Sequence, residues 1–239
     1  MAAIRTARER ARTELVAAIK AEAARQLALV GAPGLSLRAV ARELGLASSA
    51  LYRYFPSRDA LLTALIVDAY DAVGEVAERA AADALAEGAD PGRRWLAVCR
   101  AVRGWAVEHP HSYALVYGSP VPGYAAPQDT VAPAVRVSRV MAGIVEAAAA
   151  DQSLRVPERR LSRRLVTPEV VAVLREPPPE QYEDVLERSL TLLSGLFGAI
   201  SYQLFGHLHR ALEDDDAWFD FAVAVAAEGV GLVVPIETG

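Results

Sequence analysis

Residues 48–54 read Ser-Ser-Ala-Leu-Tyr-Arg-Tyr. On a short helix Ala50 and Leu51 form the inward side, and Ser48, Ser49, Tyr52, Arg53 and Tyr54 are left facing out. Hydroxyls, phenols and a guanidinium on one exposed face can enter a major groove and bond to base edges and phosphates. Ser48, Ser49 and Arg53 are the base-edge candidates; Ser36, Arg38, Tyr52, Tyr54 and Arg58 are the phosphate candidates. A second constellation suits an apolar ligand: Trp95, Cys99, Trp105, Tyr113, Tyr117, Tyr124 and Met141, with Arg103, His109 and Gln203 as orienting groups. The alternative is that these side chains simply fill a core. Catalysis finds no support, and no catalytic residue or cofactor is expected. His109 and His111 beside Glu108 straddle a proline-broken turn that suits no metal, and Cys99 on an apolar helix face reads as an inert packing thiol. Neither a nucleophile elbow nor a glycine-rich phosphate loop is present.

These groups need elements to position them. Leu37, Val40, Ala41 and Leu44 recur at helical spacing, and Gly45 follows where a left-handed residue can end a helix. Leu46 restarts the apolar signal, with Ser48 or Ser49 as a possible cap for a second short helix; Pro56 stops it and Ser57 caps the next. Two short helices around a glycine turn make a helix-turn-helix.

The chain has 239 residues and is 53% hydrophobic, enough for a sizeable core in one domain or two. Abundant alanine and little strand-like alternation predict a helical protein. With no apolar run long enough to span a bilayer and a single cysteine, a soluble, cytoplasmic protein without membrane association is expected. The net charge of −5 hides an asymmetry. Residues 1–58 carry ten Lys+Arg against four Asp+Glu, or +6, and residues 59–239 carry fifteen against twenty-six, or −11. A basic end on an acidic body would orient the molecule on double-stranded DNA.

The run Leu44-Gly45-Leu46-Ala47-Ser48-Ser49-Ala50-Leu51-Tyr52-Arg53-Tyr54-Phe55, followed by Arg58 and Leu61, resembles the DNA-binding domain of TetR-type transcriptional regulators. Their usual pattern is Leu-Gly-Val-Ser-x-x-Ala-Leu-Tyr-x-His-Phe-x-x-Lys-x-x-Leu. Ala47 stands where that pattern has a capping serine, Tyr54 where it has histidine, and Arg58 where it has lysine. Residues 109–127, with His109-Pro110, Tyr113 and Gly118-Ser119-Pro120-Val121-Pro122-Gly123-Tyr124, are similar to a subgroup with a Trp/His-Gly-type effector domain. The resemblance implies an all-α, homodimeric regulator, most simply a repressor. It would have an N-terminal three-helix DNA-binding domain at 1–58 and a helical effector-binding and dimerisation domain at 59–239. It also implies a near-palindromic operator and release by a small, largely apolar effector. A small-molecule-binding or enzymatic helical protein without specific DNA binding is the alternative, and an effector-independent DNA-binding protein is a further one.

Along the chain, residues 1–12 read as a flexible basic arm, and a first helix follows from Thr13 to near Gly31. Ser36 reads as a strong cap for the second helix, whose Arg38 and Arg42 could reach the DNA backbone or stay solvated. One long helix is predicted from Arg58 to about Ala86, a natural lever of roughly 40 Å. Further helices are predicted over about 91–108, 130–150 and 167–174, with Pro177-Pro178-Pro179 ending the last. The basic cluster Arg155, Arg159, Arg160, Arg163 and Arg164 reads as a solvated, salt-bridged face. Two final helices, 180–209 and 214–232, carry more apolar side chain than one small core needs. Leu193, Leu196, Phe197, Ile200, Leu204, Trp218, Phe221 and Val225 are the dimer-interface candidates, with Gly195 and Gly198 permitting close helix approach.

Overall fold

The structure, a computed structural model, describes residues 2–156, 158–161, 163–171 and 180–236. Among these residues it is helical with no strand. The helices are α1 (Ala2–Gly34), α2 (Leu37–Glu43), α3 (Ser48–Tyr52), α4 (Arg58–Ala86), α5 (Pro91–Glu108), α6 (Pro110–Tyr117), α7 (Val131–Ala134), α8 (Arg136–Ala150), α9 (Pro168–Val171), α10 (Val185–Leu204) and α11 (Asp215–Glu228). Short 3-10 turns at Gln128–Thr130 and Glu180–Tyr182 precede α7 and α10.

The chain forms two compact units, Met1–Ala72 with His109–Ala134, and Val73–Glu108 with Val135–Gly239. This differs from the division read at residue 58. Leu61, Leu62, Leu65 and Ile66, on the first half of α4, belong to the same core as Ile19, Ala23 and Leu27 of α1 and Val40, Ala41 and Leu51 of the helix-turn-helix. Leu115, Val116, Val121 and Tyr124 pack against that core and bring 109–134 into the first unit. The Tyr70 hydroxyl donates to the Val116 carbonyl at 3.1 Å, and the Thr63 and Tyr124 hydroxyls lie 2.9 Å apart.

The N-terminus corrects the expected arm, because α1 begins at Ala2. Residues 7–14 are exposed all round, so the alanine- and arginine-rich sequence holds this part of the helix by propensity and not by burial. Gly31, with φ of 69°, breaks α1 where the sequence predicted its end. Helices α4 and α5 have the predicted bounds. Asp90 accepts the Arg93 amide at 2.8 Å to cap α5. The helix predicted from Thr130 is interrupted at Val135, which separates α7 from α8. The helix predicted over 167–174 is described only as Pro168–Val171; its remainder and the three prolines lie outside the described residues.

In the second unit Trp95, Val98, Cys99, Val102 and Ala106 of α5 meet Met141, Ile144 and Ala148 of α8, Leu192, Leu196 and Ile200 of α10, and Phe219 and Val223 of α11 in the buried interior. The Trp95 indole N–H donates to the Val223 carbonyl at 3.0 Å. Gly195 allows α11 to approach, since a β-carbon there would come within 2.9 Å of Ala226 Cβ, whereas one at Gly198 would meet nothing within 4 Å. Asp214 caps α11 by accepting the Asp216 and Ala217 amides, each at 2.9 Å. Helix α10 ends at Leu204, earlier than predicted. Gly206 is left-handed at φ 78°, the His207 amide reaches back to the Tyr202 carbonyl, and the Gly206 amide reaches that of Gln203.

Candidate nucleic-acid interface

The turn between α2 and α3 is a Schellman motif. Gly45 takes φ of 65°, its amide donates to the Arg42 carbonyl at 3.1 Å, and the Leu46 amide donates to the Ala41 carbonyl at 2.8 Å. The last carbonyls of α2 are thereby satisfied as the chain reverses. Buried Val40, Ala41 and Leu51 hold the two helices on α1 and α4. Leu51 is fully buried, worth about 1.5–3 kcal/mol relative to exposure, and is the one inward side chain of α3 that fixes its rotation.

The opposite side of α3 is open. Ser48, Ser49, Tyr52 and Arg53 are exposed, and the Arg53 side chain makes no hydrogen bond or ion pair among the described residues. Arg38 and Arg42 of α2 are exposed as well. Ser36 stands at the N-cap of α2 with extended backbone, but its side chain makes no capping bond, which corrects the strong cap expected there. Ala47 occupies the N-cap of α3 and Ser48 is already helical, so no side chain caps this helix. The serines of the turn are therefore not used to build it.

Tyr54 is half-buried against the first-unit core, and the Arg12 guanidinium lies over its ring at 5.9 Å from the centroid. That cation–π contact had no sequence signal, since it depends on α1 continuing N-terminally past Thr13. Ser57 caps α4 by accepting the Ala60 amide at 3.0 Å. Arg58 is turned inward, its Nη2 donating to the Ala32 carbonyl at 2.5 Å.

The ligand candidates separate between the units. His109, Tyr113, Tyr117 and Tyr124 belong to the first. There Tyr117 packs edge-on to Tyr70 at 5.9 Å and tilted against Tyr113 at 5.2 Å. Burial, aided by the neighbouring Tyr70 and Tyr113, pushes the Tyr117 hydroxyl well above its ordinary pKa. Trp95, Cys99, Arg103, Trp105 and Met141 belong to the second unit. Burial drives the Cys99 thiol well above its usual value, with Asp220 adding to the effect, as fits a packing thiol. Arg103 donates to Gln203 Oε1 at 2.7 Å, pairs with Asp216 at 2.6 Å and lies over the Phe219 ring at 5.0 Å. Two of the three polar groups expected to orient a ligand, Arg103 and Gln203, are thus bonded to each other.

Among the dimer candidates Leu196 and Ile200 are 0% and 1% exposed in the single chain, so they serve its own core and offer no area to a second copy. Helical periodicity places them with Leu192 on the inner face of α10. Leu193, Phe197, Leu204 and Trp218 are half-buried, and Phe221 and Val225 are 55% and 46% exposed. Leu190, Tyr202 and Phe205, outside that candidate set, are exposed too. Helix α10 is apolar on several faces, so the pattern alone could not separate inner from outer positions.

Residues 19–65 match the family described as bacterial regulatory proteins, tetR family, and residues 95–226 match the tetracyclin repressor-like C-terminal domain. The HTH-type transcriptional regulator Rv1816 of Mycobacterium tuberculosis is 39% identical over 236 residues, covering 92% of this chain and 96% of that protein. The crystal structure of SCO4313 superposes with a TM-score of 0.71 at 32% identity, over 92% of this chain and 98% of that one. A tetR-family regulatory protein from Rhodococcus RHA1 shares the fold with a TM-score of 0.61 at 16% identity, over 91% and 97% of the two chains. These relatives are regulators and not enzymes. With its Gly45 turn, its buried Leu51 and the open polar face of α3, the chain belongs to the TetR family of DNA-binding, helix-turn-helix transcriptional regulators.

Proposed function

We propose that the protein is a cytoplasmic, homodimeric repressor that binds a near-palindromic operator through α3 and releases it when a small, largely apolar effector binds. The observation that carries the DNA-reading part is the division of α3 into one buried anchor, Leu51, and an exposed face of Ser48, Ser49, Tyr52 and Arg53. In this reading Ser48, Ser49 and Arg53 address base edges, while Ser36, Arg38, Tyr52 and Tyr54 address phosphates. Residues 1–58 serve DNA binding and 59–239 serve effector binding and dimerisation.

Support for the homodimer comes from the exposed apolar side chains Leu190, Tyr202, Phe205, Phe221 and Val225 on α10, α11 and the turn after α10. A two-fold dimer would present two recognition helices about one turn of DNA apart. The effector acts by population shift: it prefers a conformation in which the two recognition helices no longer match that spacing. A second reading, a regulator whose body only dimerises, draws support from the Arg103–Gln203 pair.

The test starts with duplexes selected from a random pool by the purified protein. A palindromic consensus occupied by two protomers supports the operator. Candidate apolar effectors are then titrated against that complex; a compound shown to bind the free protein that leaves operator affinity unchanged contradicts the release mechanism.

A further inference from the structure

The first turn of α4 makes a contact that direct DNA reading does not need. The Arg58 side chain is 31% exposed, and its Nη2 reaches back across 26 residues to the Ala32 carbonyl at 2.5 Å. Nη1 lies 3.5 Å from Asp59, and Nε is buried without a hydrogen-bond partner. Ala32 directly follows Gly31, where α1 breaks, and its carbonyl also accepts the Leu35 amide at 3.3 Å, two residues before α2 begins. The guanidinium therefore ties the start of α4 to the connection that launches α2. A guanidinium that grips a phosphate offers its fork outward; here one arm is directed to the backbone and Nε is withdrawn from water.

The consequence passes along the chain by short, stiff steps. The Ala32–Leu35 connection sets where α2 begins, and the Gly45 Schellman turn then fixes α3 relative to α2. Resting on the operator reading above, we propose that Arg58 is a positioning residue. Its bond to Ala32 holds the α1–α2 connection against α4 and so sets the angle at which α3 meets DNA, in place of a phosphate contact of its own.

The test uses the full chain, as native protein and as Arg58→Ala and Arg58→Lys. Affinity is measured for the duplex the native chain enriches and for a scrambled duplex of equal length, over a salt series, at a temperature where circular dichroism shows every variant folded. A positioning role predicts that Arg58→Ala loses about tenfold in affinity for the enriched duplex, the scale of one lost net hydrogen bond. The scrambled duplex and the slope of log K against log salt should stay unchanged. Lysine keeps the charge but not the planar fork, so Arg58→Lys should share this selective loss.

Two results overturn the proposal. A slope shallower by about 0.9 per lost contact, with lysine restoring both affinities, makes Arg58 a phosphate ligand. A lower melting temperature with the ratio of the two affinities unchanged makes it only structural. Should Arg58→Ala fail to fold, Arg58→Lys carries the same comparison. If the native chain enriches no duplex at all, the operator reading falls before any variant is measured and takes this proposal with it.

Discussion

The α2–α3 pair and the α10–α11 pair are each two consecutive helices packed on one another, yet they employ their side chains in opposite ways. In α3 only Leu51 is fully buried, while Ser48, Ser49, Tyr52 and Arg53 take no part in holding the helix. In α10 and α11, Leu192, Leu196, Ile200, Phe219 and Val223 fill the second unit, and Gly195 lets the helices touch. Polar side chains that a fold does not need stand out as candidates for something else. Side chains that a fold uses fully give no such sign, and so the recognition face is easier to assign than an effector site.

Breaking the packed side should give the largest effects. Trp95→Ala removes a fully buried indole together with its bond to Val223, and a loss of about 3–5 kcal/mol in urea unfolding is expected. A loss under 1 kcal/mol would mean that α5 does not depend on this core. Leu51→Ala should cost about 2–5 kcal/mol, toward the upper end if the three-helix core cannot collapse around the gap, and should abolish DNA binding by releasing α3.

Smaller effects sharpen the contrast. Gly45→Ala meets nothing within 4 Å, so its cost is the left-handed backbone alone, about 1–2 kcal/mol on the melting curve. A larger cost would reveal a contact at that turn. Ser57→Ala should cost about 1 kcal/mol through the lost cap of α4, whereas Ser48→Ala, which removes no cap, should leave stability unchanged. The last effect depends on pH. The hydrogen bond from Arg188 holds the Asp184 carboxyl below its ordinary value of 3.8. A depressed folded-state pKa contributes stability that is full above that ordinary value and lost as pH falls through the lower one. Acid titration of Asp184→Asn should therefore show a shallower fall in stability below about pH 4 than the native chain; an identical acid limb would leave that carboxylate without the role.

The bounds of α4 and α5 were legible because each carries a stop or start that acts locally: Ser57 ahead of Arg58, Gly88 after Ala86, and Asp90-Pro91 at the next start. The helix-turn-helix was legible for the same reason, through Gly45. The structure departs from the sequence expectation where the outcome depends on groups distant in sequence or on the absence of a local signal. The helical course of residues 2–12 reflects propensity without any apolar stripe to announce it. Only tertiary contacts show that residues 109–134 join the first unit and that Leu196 and Ile200 face inward. Arg58 and Arg103 read as available cations, and their backbone and side-chain partners, Ala32, Gln203 and Asp216, lie 26 to more than 100 residues away.

The central claim is that the exposed face of α3 reads DNA without supporting the fold, and Arg53→Ala tests it most directly. Duplex selection from a random pool should give an enriched palindrome with the native chain and none with the variant, while the two proteins unfold within about 0.5 kcal/mol of each other, as expected for an exposed side chain without a partner among the described residues. An Arg53→Ala chain that enriches the same sequence with undiminished affinity would contradict the account.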